Sequence, residues 1–176
     1  MISFLKKLVN YFEKEKISYM LSGSVAMSIY TLPRFTRDFD FIVHLQLKDV
    51  KTLVSYFKEG YYCHEDAVKE AIINKSMFNI IDFESNYKAD FIILKNEPYR
   101  LTEFERRRKI NFQNITINIV SPEDLIISKI AWIQQTQSDI QKEDIKILLD
   151  MKDIDRTYIS KWVSALKLNT FGLLKQ

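Results

Sequence analysis

The chain has 176 residues, enough for one domain with a sizeable core. A hydrophobic share of 47% beside 28% charged residues fits a soluble globular protein, and no apolar run is long enough to span a bilayer. The net charge of +3 permits an anionic partner without demanding nucleic acid, and the lone Cys63 excludes an internal disulfide and fits a reducing cytoplasm.

Phe4, Leu5, Leu8, Val9 and Phe12 recur at helical spacing, so residues 2–15 are expected to form an amphipathic helix and not a signal peptide. Residues 17–21 read as a short buried strand. Ser22-Gly23-Ser24 makes a turn, and Val25–Leu32 follow as a short helix halted near Pro33. With only three glycines in the chain, Gly23 is expected to serve a backbone need. A Gly-Ser pair at a helix start offers free N–H groups to a phosphate.

Residues 37–45 are the next expected strand. Alternation sends Asp38 and Asp40 to one face and Phe39, Phe41 and Val43 to the other. Two carboxylates about 7 Å apart on one strand face suit divalent cations. Residues 49–58 and 65–73 are expected helices, with Gly60 as a stop after the first. Met77–Phe83 and Tyr87–Leu94 read as a hairpin about Glu84-Ser85-Asn86. Asp90 heads an apolar row in the second of these strands, and Asp82 is its rival in the first.

Residues 99–109 form a basic helix or turn ending in Arg106-Arg107-Arg108-Lys109, read as a solvated face or, less readily, as a guide for RNA. Ile115–Val120 is a strand. Ser121-Pro122-Glu123-Asp124 is a strong helix start, and helices are expected over 122–134, 139–151 and 156–168. In the first of these, Lys129 falls inside the stripe of Leu125, Ile126, Trp132 and Ile133. In the second, Asp144 falls inside the stripe of Ile140, Ile147, Leu148 and Met151. Unpaired charges in a core are costly, so Lys129 is expected near Asp144 or facing a cleft. His44 and His64 have no metal-like spacing.

The order of strand, Gly23-Ser24, helix and Asp38-x-Asp40 resembles the nucleotidyltransferase superfamily of polymerase-beta-like proteins. The wording Gly-Ser-x-Ala followed by Arg34-x-Thr36-x-Asp38-x-Asp40 is most similar to its AbiEii-like branch, which includes toxins and antitoxins of phage defence. The resemblance covers roughly residues 19–150. It implies an α+β fold, a nucleotidyltransferase-like mixed β-sheet with flanking helices and a helical C-terminal third. The expected organisation is one domain over 1–176, with a core of about 17–120 and a helical part of about 121–170.

The activity implied is Mg²⁺-dependent transfer of a nucleoside monophosphate from a nucleoside triphosphate, ATP among the candidates. Asp38, Asp40 and Asp90 would be the catalytic residues that bind two Mg²⁺ ions. Gly23, Ser24, Arg34, Arg37 and Lys129 would meet the nucleotide, with Thr36 and Asp144 in support. The acceptor stays open between a tRNA 3′ end, a protein hydroxyl and a small molecule, with a cognate toxin or antitoxin as a possible partner. The rival expectation is an inactive module of the same fold that works by contact.

Overall fold

The computed structural model describes residues 1–31, 36–136 and 138–174. Helix α1 (Ile2–Lys14) presents Phe4, Leu5, Leu8, Val9, Tyr11 and Phe12 to the interior, as its periodicity requires. Strand β1 (Tyr19–Ser22) is buried along its whole length and runs directly into α2 (Gly23–Tyr30). Strand β2 (Asp38–Val43) returns beside it, and α3 (Val50–Tyr56) and α4 (Glu65–Asn74) flank the two-residue strand β3 (Tyr61–Tyr62). The hairpin β4 (Met77–Asp82) and β5 (Lys88–Ile93) follows, then α5 (Pro98–Glu105). A second hairpin, β6 (Arg108–Phe112) and β7 (Ile115–Ile119), leads to α6 (Pro122–Trp132), α7 (Asp139–Leu149) and α8 (Arg156–Ala165).

Among the described residues the strands form one mixed sheet in the order β3-β4-β5-β2-β1-β7-β6. The β2–β5 and β1–β7 pairs are parallel and the others antiparallel. The fold is thus α+β, a mixed sheet with flanking helices and a helical C-terminal part.

One face of the sheet is sealed by aromatic packing. Phe12 of α1 stacks on Tyr19 at 4.6 Å between ring centres and meets Phe41 and Phe91 edge-on or tilted at 5.3 and 5.7 Å. Phe4 lies 5.9 Å from Phe39, and Phe78 stacks on Phe91 at 4.9 Å. Each such ring is buried, a contribution of about 1.5–3 kcal/mol apiece. The alternation in β2 follows: Phe39, Phe41 and Val43 go to this side, which leaves Asp38 and Asp40 on the other.

Several expectations are corrected. Strands β3 and β6 are absent from the sequence reading, α2 begins at Gly23 itself, and Gly60 opens the β3 segment, where its carbonyl accepts from the Phe83 N–H. Trp132 and Ile140, placed in apolar stripes by periodicity, are 65% and 58% exposed. Their neighbours Ile133, fully buried, and Gln141, which bonds Lys129 across the two helices, take the packed face, so Trp132 and Ile140 are turned to the other side.

Candidate active site

Strand β2 lies between β1 and β5, so the register of three strand pairs fixes what faces Asp40. Ser22 of β1 pairs with Asp40, Asp40 with Asp90 of β5, and Asp90 with Asn79 of β4. Paired residues share a face, and neighbouring strands are about 4.8 Å apart. A polar row Ser22–Asp40–Asp90–Asn79 therefore crosses the sheet. One step along the strands, Asp38 pairs with Lys88 on the same face.

Gly23 is fixed by two constraints. Its φ of +64° belongs to the left-handed region, and a Cβ there would stand 1.8 Å from Oδ2 of Asp40. The bare backbone lets the start of α2 close against the Asp40 carboxylate. The first-turn N–H groups of α2, including that of Ser24, have no partner within the helix, and the Ser22 side chain does not cap them. On the entry side of β2, the Thr36 hydroxyl accepts from the Asp38 N–H at 3.2 Å. Arg37 is exposed, and its carbonyl accepts from the Lys88 N–H at 3.0 Å. Arg34 lies outside the described residues.

The electrostatics follow from crowding. Burial, then the nearby Asp90 and Asp38 carboxylates, push the Asp40 carboxyl up to about 6, against the pull of Lys88 and Lys129. Lys88 is the cation in the cluster. Its ammonium is 2.9 Å from Oδ2 of Asp90 and 3.8 Å from Oδ1 of Asp38, and the Asp90 hydrogen bond raises its proton affinity. Oδ1 of Asp90 is buried and has no hydrogen-bond partner.

Lys129 of α6 is nearly buried. It donates to Oδ2 of Asp144 at 2.9 Å and to Oε1 of Gln141 at 3.0 Å, both on α7. Helices α6 and α7 both pack against α2, the helix that opens beside Asp40, and the Lys129 charge pulls against the rise of the Asp40 carboxyl. Of the two places expected for Lys129, the one beside Asp144 is observed.

The rival Asp82 sits on the opposite face of β4, where it accepts from the Glu84 N–H and the Ser85 hydroxyl and so caps the hairpin turn. Three members of the cluster were not read from the sequence. Lys88 had a signal, two residues before Asp90 on the same strand face. Ser22 and Asn79 had none, because their place depends on pairing between strands.

No group of three or more His, Cys, Asp or Glu side chains among the described residues is drawn together as a ready metal cage; a lysine stands between two of the carboxylates instead. The donor set nonetheless fits a hard divalent cation. It is all carboxylate oxygen, one buried oxygen has no partner, and one carboxyl is held up by burial and then by its neighbours' negative charge.

A row of carboxylates beside a glycine-opened helix start, on a mixed sheet, is the arrangement that the resemblance to nucleotidyltransferases implies. The chain belongs to the family described as nucleotidyltransferase of unknown function (DUF6036), which it matches over residues 1–171. No curated protein matches the sequence.

Similar solved structures include ANT(2″)-Ia in complex with adenylyl-2″-tobramycin, at 10% identity over 94% of this chain and 96% of that chain, TM-score 0.64. The lincosamide antibiotic adenylyltransferase LnuA, lincomycin-bound, is 16% identical over 83% of this chain and 94% of that chain, TM-score 0.54. An antigenic nucleotidyltransferase-like protein from Paracoccidioides brasiliensis is 13% identical over 92% and 87%, TM-score 0.55. At these identities the likeness is one of fold. No helix among the described residues is long and apolar enough to cross a membrane.

Proposed function

We propose that this chain, working as one domain over residues 1–176, transfers a nucleoside monophosphate from a nucleoside triphosphate to a hydroxyl of a small molecule. The observation that carries the reading is the polar row itself: the start of α2 closes on Asp40 at one side, and Asp90 and Asn79 continue to the other. Substrate phosphates would take the N–H groups at the start of α2, the Ser24 hydroxyl and the guanidinium groups of Arg37 and Arg34. Asp38, Asp40 and Asp90 would hold Mg²⁺, two ions in this proposal, which supplies charge neutralisation for the triphosphate and the exchanging oxygens.

The chain's own groups then divide the work. The acceptor oxygen forms a bond to the α-phosphorus while the bond to pyrophosphate breaks, and Asp90, with its unpartnered Oδ1, receives the acceptor's proton. Lys129 directs two of its three donors at Asp144 and Gln141, and its third is available to the departing pyrophosphate.

The acceptor side supports a small molecule. On the face of Asp90, strands β4 and β5 present Met77, Asn79, Ile81 and Ile92, all exposed or half-exposed. This floor is apolar with one carboxamide, and Lys88 is its neighbouring cation. A tRNA 3′ end in a toxin–antitoxin setting of the AbiEii kind would call for a basic track. Arg106 and Arg108 do not supply one, being engaged with Asp124 and Glu123. The two antibiotic-modifying neighbours, one bound to lincomycin and one to adenylyl-2″-tobramycin, point the same way.

The test is transfer of label from each α-labelled triphosphate, with Mg²⁺, to a panel of hydroxylated small molecules, to bulk tRNA and to cell protein. Label on a small molecule, lost in Asp40→Asn, supports the reading. Label on tRNA alone moves the protein to the RNA-directed setting. Metal-dependent nucleotide binding without transfer to any acceptor makes it a contact module.

A further inference from the structure

Lys88 has no part in the transfer just described, yet its ammonium stands among the residues assigned to the metal. We propose that Lys88 is a built-in competitor of the divalent cation: it holds the place between Asp38 and Asp90 in the empty enzyme and yields it when a nucleoside triphosphate arrives with the ion. The inference rests on the transferase reading for the identity of the nucleotide, and on this chain's own geometry for the competition.

The geometry is specific. Lys88 and Asp38 are register partners across β5 and β2, and Lys88 and Asp90 are two residues apart on one face of β5. Its contacts, 2.9 Å to Asp90 and 3.8 Å to Asp38, engage two of the carboxylates that would hold the cation. The side chain is 35% exposed, so the ammonium reaches this place from a stem partly in solvent and can leave without unpacking the core. The contact is incomplete: Oδ1 of Asp90 is left without a partner, which a compact ammonium cannot reach while bonded to Oδ2 and leaning on Asp38.

Three carboxylates this close would repel one another with no cation present. Lys88 relieves part of that repulsion in the resting state, as its opposing effect on Asp40 shows. A free divalent ion must therefore displace an intramolecular counter-ion before it can bind. An ion arriving with a triphosphate meets the same competitor, but the released ammonium now has phosphate oxygens to turn to. Metal and nucleotide should accordingly bind with strong positive coupling, and by linkage each should tighten the other by the same factor. Such coupling would keep the site from loading with metal alone.

The experiment uses Mn²⁺ as the probe, titrated calorimetrically into the full chain with and without a non-hydrolysable ATP analogue. The variants are Lys88→Met, Lys88→Arg and Asp40→Asn, each checked for folding by circular dichroism. Wild type should bind Mn²⁺ weakly alone and at least tenfold more tightly with the analogue. Lys88→Met should bind Mn²⁺ alone at least tenfold more tightly than wild type, with the coupling factor falling toward one, while Lys88→Arg keeps the weak, coupled behaviour. If Lys88→Met fails to fold, Lys88→Gln takes its place.

Mn²⁺ affinity unchanged or weakened on removing the ammonium overturns the proposal. The transferase reading is judged separately, by whether wild type binds the Mn²⁺–analogue pair and Asp40→Asn does not. Either idea can fail while the other stands.

Discussion

At the scale of single residues, Gly23 and Asp40 constrain each other. Any side chain at 23 meets the Asp40 carboxylate and must also adopt a φ of +64°. Gly23→Ala should cost about 2–4 kcal/mol, the left-handed backbone contributing about 1 kcal/mol and the displaced carboxylate the rest. It should also abolish metal-dependent nucleotide binding; thermal denaturation and calorimetry check the two effects. Asp40 also makes stability depend on pH. Its carboxyl titrates near 3.8 when unfolded and about 6 when folded, so the folded state binds the proton more tightly. The stabilisation from this group is complete below about pH 4 and is lost as pH rises through about 6. At 1.36 kcal/mol per unit the loss is on the order of 2–3 kcal/mol. Asp40→Asn should therefore be more stable than wild type at pH 7.5 in chelator and no more stable at pH 4, as urea titrations at the two pH values would show. A variant that lowers stability at both would mean that the carboxylate is a structural anchor instead.

At the scale of elements, α6 and α7 meet through a buried ion pair, and a pair of this kind can be structural, functional or both. Breaking a buried pair by removing one partner typically costs about 3–5 kcal/mol. Lys129→Met, which leaves Asp144 without this ammonium, and Asp144→Leu, which leaves Lys129 with Gln141, should each destabilise by up to that order, and the double variant by less than the two together. A double-mutant cycle in urea measures the difference. Nucleotide affinity separates the roles: if Lys129 meets phosphate, the folded double variant should lose at least tenfold in triphosphate binding, whereas a purely structural pair would leave it intact.

That this pair was legible in the sequence, as two charges inside apolar stripes, shows where periodicity works. It reads α1 and β2 equally well, because those elements have one buried and one polar face. It fails for β6, whose Arg-Lys-Ile-Asn-Phe carries charges at a sheet edge. That strand forms because Gln113 and Asn114, at φ of 50° and 62°, turn it back against β7. It fails too for Asn79 and Ser22, since register between strands distant in sequence leaves no local trace. The carboxylates that the register aligns could be read, and Lys88 left a trace two residues before Asp90, but Ser22 and Asn79 could not.

At the scale of the whole molecule, the helical C-terminal part is tied to the sheet by charges buried with their partners. Asp124, fully buried at the start of α6, accepts from the Ser121 hydroxyl at 2.6 Å, from Nε of Arg106 at 2.9 Å and from the Tyr158 hydroxyl of α8 at 2.7 Å. Arg106 also lies 3.9 Å from the centre of the Tyr158 ring, and Glu123 accepts from both Arg106 and Arg108. The basic run that looked like a solvated face is thus in part a clasp at the surface, with the partly exposed Arg106 and Arg108 as counter-ions to buried carboxylates and Arg107 donating to the Phe104 carbonyl. The clasp fixes the start of α6 against α5, β6 and α8.

Arg106→Ala removes one of three donors from a carboxylate that water cannot reach, and should cost about 2–4 kcal/mol, the lower part of the range for a broken buried pair because the guanidinium itself is partly exposed. Lys109, exposed on the edge strand β6, should cost within about 0.5 kcal/mol when changed to Ala. Urea denaturation of the two variants distinguishes the clasp from a nucleic-acid surface. A clasp separates them in stability and leaves both indifferent to RNA. A phosphate-binding patch would leave both as stable as wild type and weaken both toward RNA in a salt-dependent way.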